Sequence, residues 1–360
     1  MARFVDAKRI IGVFACLGTA AGGALMVRHA AVLRMHAKMP LIAVTLAIVL
    51  MIAVLVAPHS FVMSEVQASI PYIEALMLLS LLVLLRVRRD DYLVIVSLAS
   101  AYVAVTVLMD AAGYYPGVGL RRPGGVLHNR NFAGEFLSLA LPCCVIGATT
   151  RRLMVLPLVG AALFVTRCRT AWVAAILCLA VVFMLGHGRQ RWKRGMAAML
   201  VLTGALSVMI VPFRLKWAER APYYATARRL VDFSTGSGHL RWKQYAETIH
   251  LMQGHWLRGL GAGEWQRYMF ARDAALAHNS TPHSDYLRAL SDGGVFALVG
   301  LVGLFVAASL MAWRHRGTAP EVLGGVLAAS VISIADVPLL RPESLVLVTL
   351  YIGTLIGKSQ

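Results

Sequence analysis

The chain has 360 residues, of which 59% are hydrophobic and only 14% are charged, and its mean hydropathy is +0.70. A soluble domain carries roughly a quarter charged residues, so this composition excludes a water-clothed globule and indicates an integral membrane protein. The formal net charge of +18 would suggest nucleic acid on a soluble chain. On a membrane chain it first reflects topology, because Lys and Arg accumulate in cytoplasmic loops, and no nucleic-acid partner is expected.

A spanning helix needs about 20 mostly apolar residues. In chain order the candidates are Leu41–Ala57, Val66–Leu85, Tyr92–Met109, Phe132–Ala148, Leu153–Val165, Thr170–Leu185, Met196–Val211, Gly294–Trp313, Val322–Ala335 and Leu345–Ile356. Ile10–Met26 is weaker, because the Gly/Ala run Gly18–Gly23 breaks it. If it spans, the basic N-terminal tail lies outside. If it lies in the interface, the tail is inside and ten spans remain. Several candidates are short and must tilt or extend into flanking polar residues. The first apolar stretch runs into a basic loop rather than a small-residue cleavage site, so no cleavable signal peptide is expected. The fold class is all-α, a polytopic membrane bundle.

Loop charge orients the bundle. One alternating set of loops carries fifteen basic residues, among them Arg86, Arg88, Arg89, Arg314 and Arg316, against three acids, Asp90, Asp91 and Glu321. That side is cytoplasmic. The other side holds seventeen basic residues, fifteen of them Arg. Eleven fall in Pro212–Asp292, a loop of about 80 residues, and loops of that length without a role are uncommon. The expected organisation is an N-terminal bundle over 1–211, a large outward helical loop over 212–292, and C-terminal spans over 293–360.

The five cysteines show no CxxC spacing and read as small membrane-buried residues. No metal motif, P-loop or dinucleotide fingerprint is present, so no cofactor is expected. No internal repeat stands out, which disfavours an inverted-repeat transporter.

Four outward-facing clusters remain. The first runs from Arg121 and Arg122 through Gly124-Gly125 to Asn131, a plausible N-cap of the next span. Its glycines allow close backbone approach and its helix start favours anions, while the two Arg residues could equally snorkel to lipid phosphates. The second is Thr166-Arg167-Cys168-Arg169-Thr170, a tight turn between two short spans. Two Arg residues this close to hydrocarbon need a polar cavity or an anion, and charge alone leaves a structural pair and a ligand site equally open.

The third opens a helix in the large loop. Trp242, Tyr245, Ile249 and Met252 fall on one face, expected to be packed, and Arg241 sits near the helix start. The Gly-rich stretch Gly254–Gly263 follows. The fourth is Thr281-Pro282-His283-Ser284-Asp285. Thr281 can cap and Pro282 fits the first helical position, which puts His283 in the first turn. There the helix dipole disfavours imidazolium, leaving a ring that can accept a proton. Asp285 and Glu135 are alternative bases, although a carboxylate among Arg residues is a poor one. Arg pairs with phosphate oxygens and keeps its charge, and a neutral His can deprotonate an attacking hydroxyl. The set fits transfer of a group off a membrane-anchored pyrophosphate.

These clusters resemble the O-antigen ligase and O-antigen polymerase superfamily of bacterial envelope glycosyltransferases. The likeness rests on Gly125, Asn131 and Ala133 before a span, on Cys168-Arg169-Thr170-Ala171, on Gly238 and Arg241-Trp242 followed by Gly259-Leu260-Gly261, and on His283-Ser284-Asp285-Tyr286-Leu287 followed by Gly293-Gly294-Val295-Phe296. It covers residues 120–310, with weaker likeness at Asp336 and Arg341. Departures are Arg130 where the family has Pro, Cys168 where Ser is usual, and Trp256 after His255 where Pro is frequent.

The resemblance implies a GT-C-like bundle of 10–12 transmembrane helices in the bacterial inner membrane, with one large periplasmic loop and a periplasmic active site. It implies an undecaprenyl-pyrophosphate-linked glycan donor and a lipid A-core or other glycan acceptor, joined by metal-independent, inverting transfer. By matching position, Arg169 and Arg241 would bind the pyrophosphate and His283 would activate the acceptor, as the catalytic set. Arg121, Arg122, Asn131, Arg167 and Asp285 would line the substrate site. Ligation to lipid A-core is the leading expectation; polymerisation of O-antigen or exopolysaccharide, or oligosaccharide transfer onto protein, uses the same donor chemistry. A transporter or flippase of a lipid-linked anion is the alternative of another class.

Overall fold

A computed structural model describes residues 89–114, 123–146, 155–185, 195–203, 237–273 and 281–358, with the isolated positions 193 and 276. Every regular element among them is helical. The expected spans Ile10–Met26, Leu41–Ala57 and Val66–Leu85, and the second half of Met196–Val211, lie outside the described residues, as do Arg121 and Arg122.

The first described helix, α1 (Arg89–Ala111), leads through a 3-10 turn, Gly125–Leu127, to α2 (Arg130–Ile146). Next come α3 (Val155–Thr166) and α4 (Arg169–Met184), then α5 (Ser237–Leu251) and α6 (Trp265–Arg272) in the large loop. The chain ends with α7 (Asp285–Arg314), α8 (Pro320–Ala335), the 3-10 turn Pro338–Leu340 and α9 (Pro342–Lys358). Each expected span among the described residues is a helix, displaced by three residues or fewer at its ends except at the start of α7. Helices α1 and α7 are long and apolar enough to cross a membrane; Val155–Thr166, Arg169–Met184, Pro320–Ala335 and Ser344–Leu355 are apolar but shorter.

Helix α2 is the axis of the bundle. It is buried from Ala133 to Val145 and packs against α1, α3, α4, α8 and α9. A helix apolar all round belongs inside such a bundle. Small residues let its neighbours close in. A Cβ on Gly325 of α8 would stand 2.1 Å from the Tyr351 ring of α9, and the Tyr351 hydroxyl donates to Leu139 O of α2 at 2.6 Å.

The outer faces are apolar as well. On α1, Tyr92, Leu93, Val96, Val103 and Val107 are buried, while Ile95, Leu98, Tyr102, Val105 and Met109 are exposed. On α7, Phe296, Val299, Val306 and Leu310 are exposed. Contiguous apolar surface of this extent does not suit water; it suits hydrocarbon. The charges at the other end of the bundle are partly paired rather than solvated. Glu321, buried at the start of α8, receives Arg89 Nε and Nη2, each at 2.7 Å, and the Tyr92 hydroxyl at 2.6 Å.

The loop builds its own small core from Met252, Leu260, Trp265, Met269, Leu276 and Leu290. The expected packed face of α5 is corrected here. Gln244, Thr248 and Met252 are the buried positions, whereas Trp242 is 73% exposed and Ile249 is also exposed. Two polar residues face inward, each making a side-chain hydrogen bond there, although Gln244 Oε1 is buried without a hydrogen-bond partner. Gln244 Nε2 donates to Leu276 O at 2.9 Å, and Thr248 Oγ1 accepts from Trp265 Nε1 at 2.9 Å.

Helix α7 starts nine residues before the expected Gly294, and it breaks at Gly293-Gly294, where Gly294 has φ 69 and ψ −162. The break admits the Gly-rich stretch of the loop. Leu260 N donates to Ser291 O at 2.6 Å and Val295 N to Trp256 O at 2.7 Å. A Cβ on Gly259, at φ +75, would lie 2.7 Å from Gly294 N. The glycines of both motifs are therefore spent on backbone-to-backbone contact.

Candidate active site

Helix α8 ends where its last residue gives way to Asp336, the C-cap. A six-residue turn, Asp-Val-Pro-Leu-Leu-Arg, then carries the chain to α9, with Pro342 well suited to the first helical position. Asp336 and Arg341 are thereby placed at the mouth of a helix hairpin, between α2 and the loop.

Asp336 is fully buried and collects four partners from four parts of the chain. Arg341 Nη2 donates to Oδ1 at 2.6 Å. Arg241 Nη2, from α5, donates to Oδ2 at 3.0 Å. Asn131 Nδ2, from the first turn of α2, reaches Oδ2 at 3.4 Å. His283 Nδ1 lies 3.5 Å from Oδ1. That contact is close enough for electrostatics but lacks hydrogen-bond geometry, since Nδ1 is buried without a hydrogen-bond partner. Burial alone would push the Asp336 carboxyl up. The His283 ring and the Arg341 and Arg241 guanidinium groups outweigh it and hold the carboxyl well below the usual carboxylate range.

Arg341 is shared. Its Nη1 donates to Glu135 Oε2 of α2, and its guanidinium stacks 3.8 Å above the centre of the Phe132 ring. Arg241 is shared too, its Nη1 donating to Ala335 O. That bond satisfies one of the carbonyls α8 leaves open at its C-terminus, where a cation is favoured. The side chain of Arg241 remains 21% exposed.

His283 differs from its expected position. The N-cap of α7 is Ser284, whose Oγ accepts from Leu287 N at 3.4 Å; Thr281 and Pro282 precede the helix. His283 therefore stands just outside the first turn, with a left-handed backbone at φ 50. A second cap is corrected in the same way. Asn129, not Asn131, caps α2, its Oδ1 accepting from Asn131 N at 2.8 Å, and this frees the Asn131 amide for Asp336. Asp285 is occupied as a structural group. Its Oδ2 accepts from Ser333 Oγ at 3.0 Å and Leu339 N at 3.2 Å, which fixes the start of α7 against the end of α8.

The Arg167–Arg169 turn flanks this cluster. Arg167 has φ 52, Cys168 is the N-cap of α4, and Arg169 is its first residue. Trp172 fastens the hairpin by donating to Leu163 O at 2.8 Å and stacking on Phe164. The turn lies on α2 at Gly134, whose Cβ would stand 2.8 Å from Cys168 Cβ; Glu135 is the next residue. The Gly124-Gly125 turn, by contrast, already holds an anion of its own chain: both N–H groups donate to Asp110 Oδ2, at 2.8 and 3.0 Å.

Asn131, Arg241 and His283 thus meet at one carboxylate, and Arg169 begins the helix beside it. Asp336, Arg341 and Glu135 complete the cluster. Residues 153–302 match the family model described as O-antigen ligase. This stretch is similar to the O-antigen ligase domain, and the match supports membership of the O-antigen ligase superfamily. The superfamily is of the ligase and polymerase type of glycosyltransferase, is membrane-associated, and works on glycans and lipid-linked substrates. The match contains Arg167, Arg169, Arg241, His283 and Asp285, whereas Asn131, Glu135, Asp336 and Arg341 lie outside it. No curated relative matches the chain.

Proposed function

We propose that the protein is a multi-pass membrane glycosyltransferase with its active site on the periplasmic face of the bacterial inner membrane. It moves a glycan from undecaprenyl pyrophosphate to an acceptor hydroxyl, with lipid A-core as the acceptor. The observation that carries the reading is the convergence of Arg241 and His283 on Asp336. A phosphate-binding cation and a proton acceptor, both from the stretch that matches the O-antigen ligase model, are held against one buried carboxylate beyond it.

In this reading Arg241 and Arg169 bind the pyrophosphate, with Asn131, Arg341, Arg167, Arg121 and Arg122 around the donor. The acceptor oxygen attacks the anomeric carbon on the face opposite the leaving group. The new C–O bond forms as the sugar–phosphate C–O bond breaks, and that electron pair leaves with the lipid pyrophosphate. Arg groups stabilise the charge that develops there. The acceptor proton passes to His283 Nε2, the ring nitrogen turned away from Asp336. The buried carboxylate beside Nδ1 stabilises the imidazole electrostatically once it is protonated.

Deletion of the gene followed by an envelope-glycan gel tests this reading. Loss of all laddering on core supports ligation. A single repeat on core redirects the assignment to polymerisation, and an unchanged envelope glycan to another acceptor. Wild-type transfer by Arg169→Ala, Arg241→Ala and His283→Ala alike overturns the site.

A further inference from the structure

His283 adopts φ 50, a left-handed conformation that costs a non-glycine residue on the order of 1 kcal/mol and persists only where its surroundings enforce it. The residues after it are fastened to α8: Ser284 Oγ donates to Ser333 O at 3.1 Å, and Asp285 N to Asp336 O at 3.2 Å. Those bonds hold the helix start and leave the His283 peptide itself untouched. The group that reaches it comes from the loop. The Tyr245 hydroxyl lies 2.9 Å from His283 O and 3.3 Å from Ile334 O, so its single proton is directed mainly at the histidine carbonyl and shared with the end of α8.

We propose that Tyr245 is a positioning residue for His283. Its hydroxyl fixes the strained turn that sets the imidazole beside Asp336 and leaves Nε2 for the acceptor. The inference rests on the transfer reaction proposed above. Tyr245 follows Arg241 by four residues, so the two share one face of α5. Arg241 holds Ala335 O and Asp336, and Tyr245 holds Ile334 O and His283 O. One helical turn of the loop therefore places the phosphate-facing cation and the base in a common frame. Burial pushes the Tyr245 hydroxyl up to about 12, against the opposing effect of Arg241, so it stays a donor across the physiological range.

A purely structural Tyr245 would fasten α5 to α8, and its loss would lower stability and donor binding together. A positioning role separates these. The test uses full-length protein reconstituted with a lipid-linked donor, comparing wild type, Tyr245→Phe and His283→Ala. In Tyr245→Phe, kcat falls roughly tenfold to a hundredfold, as displacement of a reacting group by about 1 Å does, while donor KM and Tm hold. Carbethoxylation of His283 by diethyl pyrocarbonate, followed by mass spectrometry, becomes faster as the ring leaves its half-buried seat. Unchanged kcat with unchanged modification overturns the inference. So does a kcat loss matched by a rise in KM and a fall in Tm. Wild-type transfer by His283→Ala defeats the proposed reaction instead, and the modification rate then still decides whether Tyr245 holds the ring.

Discussion

Arg241 and Asp336 are 95 positions apart in the chain and meet at 3.0 Å. The pair joins the large loop to the end of α8, and the Arg241 side chain that makes it is still partly exposed. In the proposed reaction, a lipid pyrophosphate reaching Arg241 meets a cation already oriented by a buried anion. The carboxylate restricts the guanidinium to one geometry, so little ordering is left for the donor to bring about.

Replacing Arg241 by Ala is expected to abolish detectable transfer, a loss of at least about 100-fold, with protein levels maintained. Arg241→Lys is expected to restore only a small part. A point charge cannot serve Ala335 O, Asp336 and a phosphate together. An envelope-glycan gel from a deletion strain carrying each variant reads both outcomes; full complementation by the Lys variant would contradict the bidentate role.

Removal of the base is expected to cost about 10²–10⁴ in turnover. His283→Ala should show this loss in a reconstituted transfer assay with donor KM little changed. The same assay on Asp285→Asn separates the two candidates, because Asp285 is committed to Ser333 and Leu339. That variant should lose stability first, seen as a lower Tm, and its remaining folded fraction should still transfer.

The Asp336 carboxyl makes acid stability a second readout of the site. Its folded pKa lies below the unfolded value. The carboxylate therefore contributes stability that is fully present above the ordinary Asp value of about 3.9 and is lost as pH falls toward the folded value. Unfolding of detergent-solubilised protein is expected to show wild type more stable than Asp336→Asn at pH 5 to 8, by roughly 3–5 kcal/mol for a broken buried pair. The margin should narrow below about pH 4. A margin that grows as pH falls below about 4 would contradict this.

Packing at Gly325 is tight enough to test independently of chemistry. A methyl there meets the Tyr351 ring at 2.1 Å, and the ring is held in place by its bond to Leu139 O. Gly325→Ala is expected to destabilise by about 1–3 kcal/mol, visible as a lower Tm, and Gly325→Ala with Tyr351→Leu should recover part of it. A neutral Gly325→Ala would show that α8 and α9 separate easily.

Arg241, His283, Asn131 and Arg169 were legible because each sits in a short polar motif beside an apolar run. The helices were legible because hydrocarbon-length apolar stretches leave few alternatives. Asp336 and Arg341 carried only a faint signal. A lone acid and a lone base in a six-residue turn look like ordinary loop charges until the fold brings α2 and α5 against them. The cap at Ser284 was misread by register. Thr281-Pro282 satisfies the preferences of a helix start as well as the true one does, and nothing local announces that His283 is left-handed. The α5 face was misread because hydrophobicity marked Trp242 and Ile249 for burial, whereas Gln244 and Thr248 are the buried positions, each making one side-chain hydrogen bond to the loop core. The Gly124-Gly125 turn did bind an anion, but the anion is Asp110.

Helix α8 is anchored electrostatically at both extremities: Glu321 grips Arg89 and Tyr92 near its start, and Asp336 grips Arg241 and Arg341 at its end. Fifteen residues of α-helix set the interval between the anchors at about 22 Å, and each added or removed residue would swing one anchor by about 100° relative to the other. The helix thus works as a spacer of fixed length and phase. Its sequence can drift in apolar identity while its residue count cannot change, because a single insertion would point Asp336 away from the cations that assemble around it.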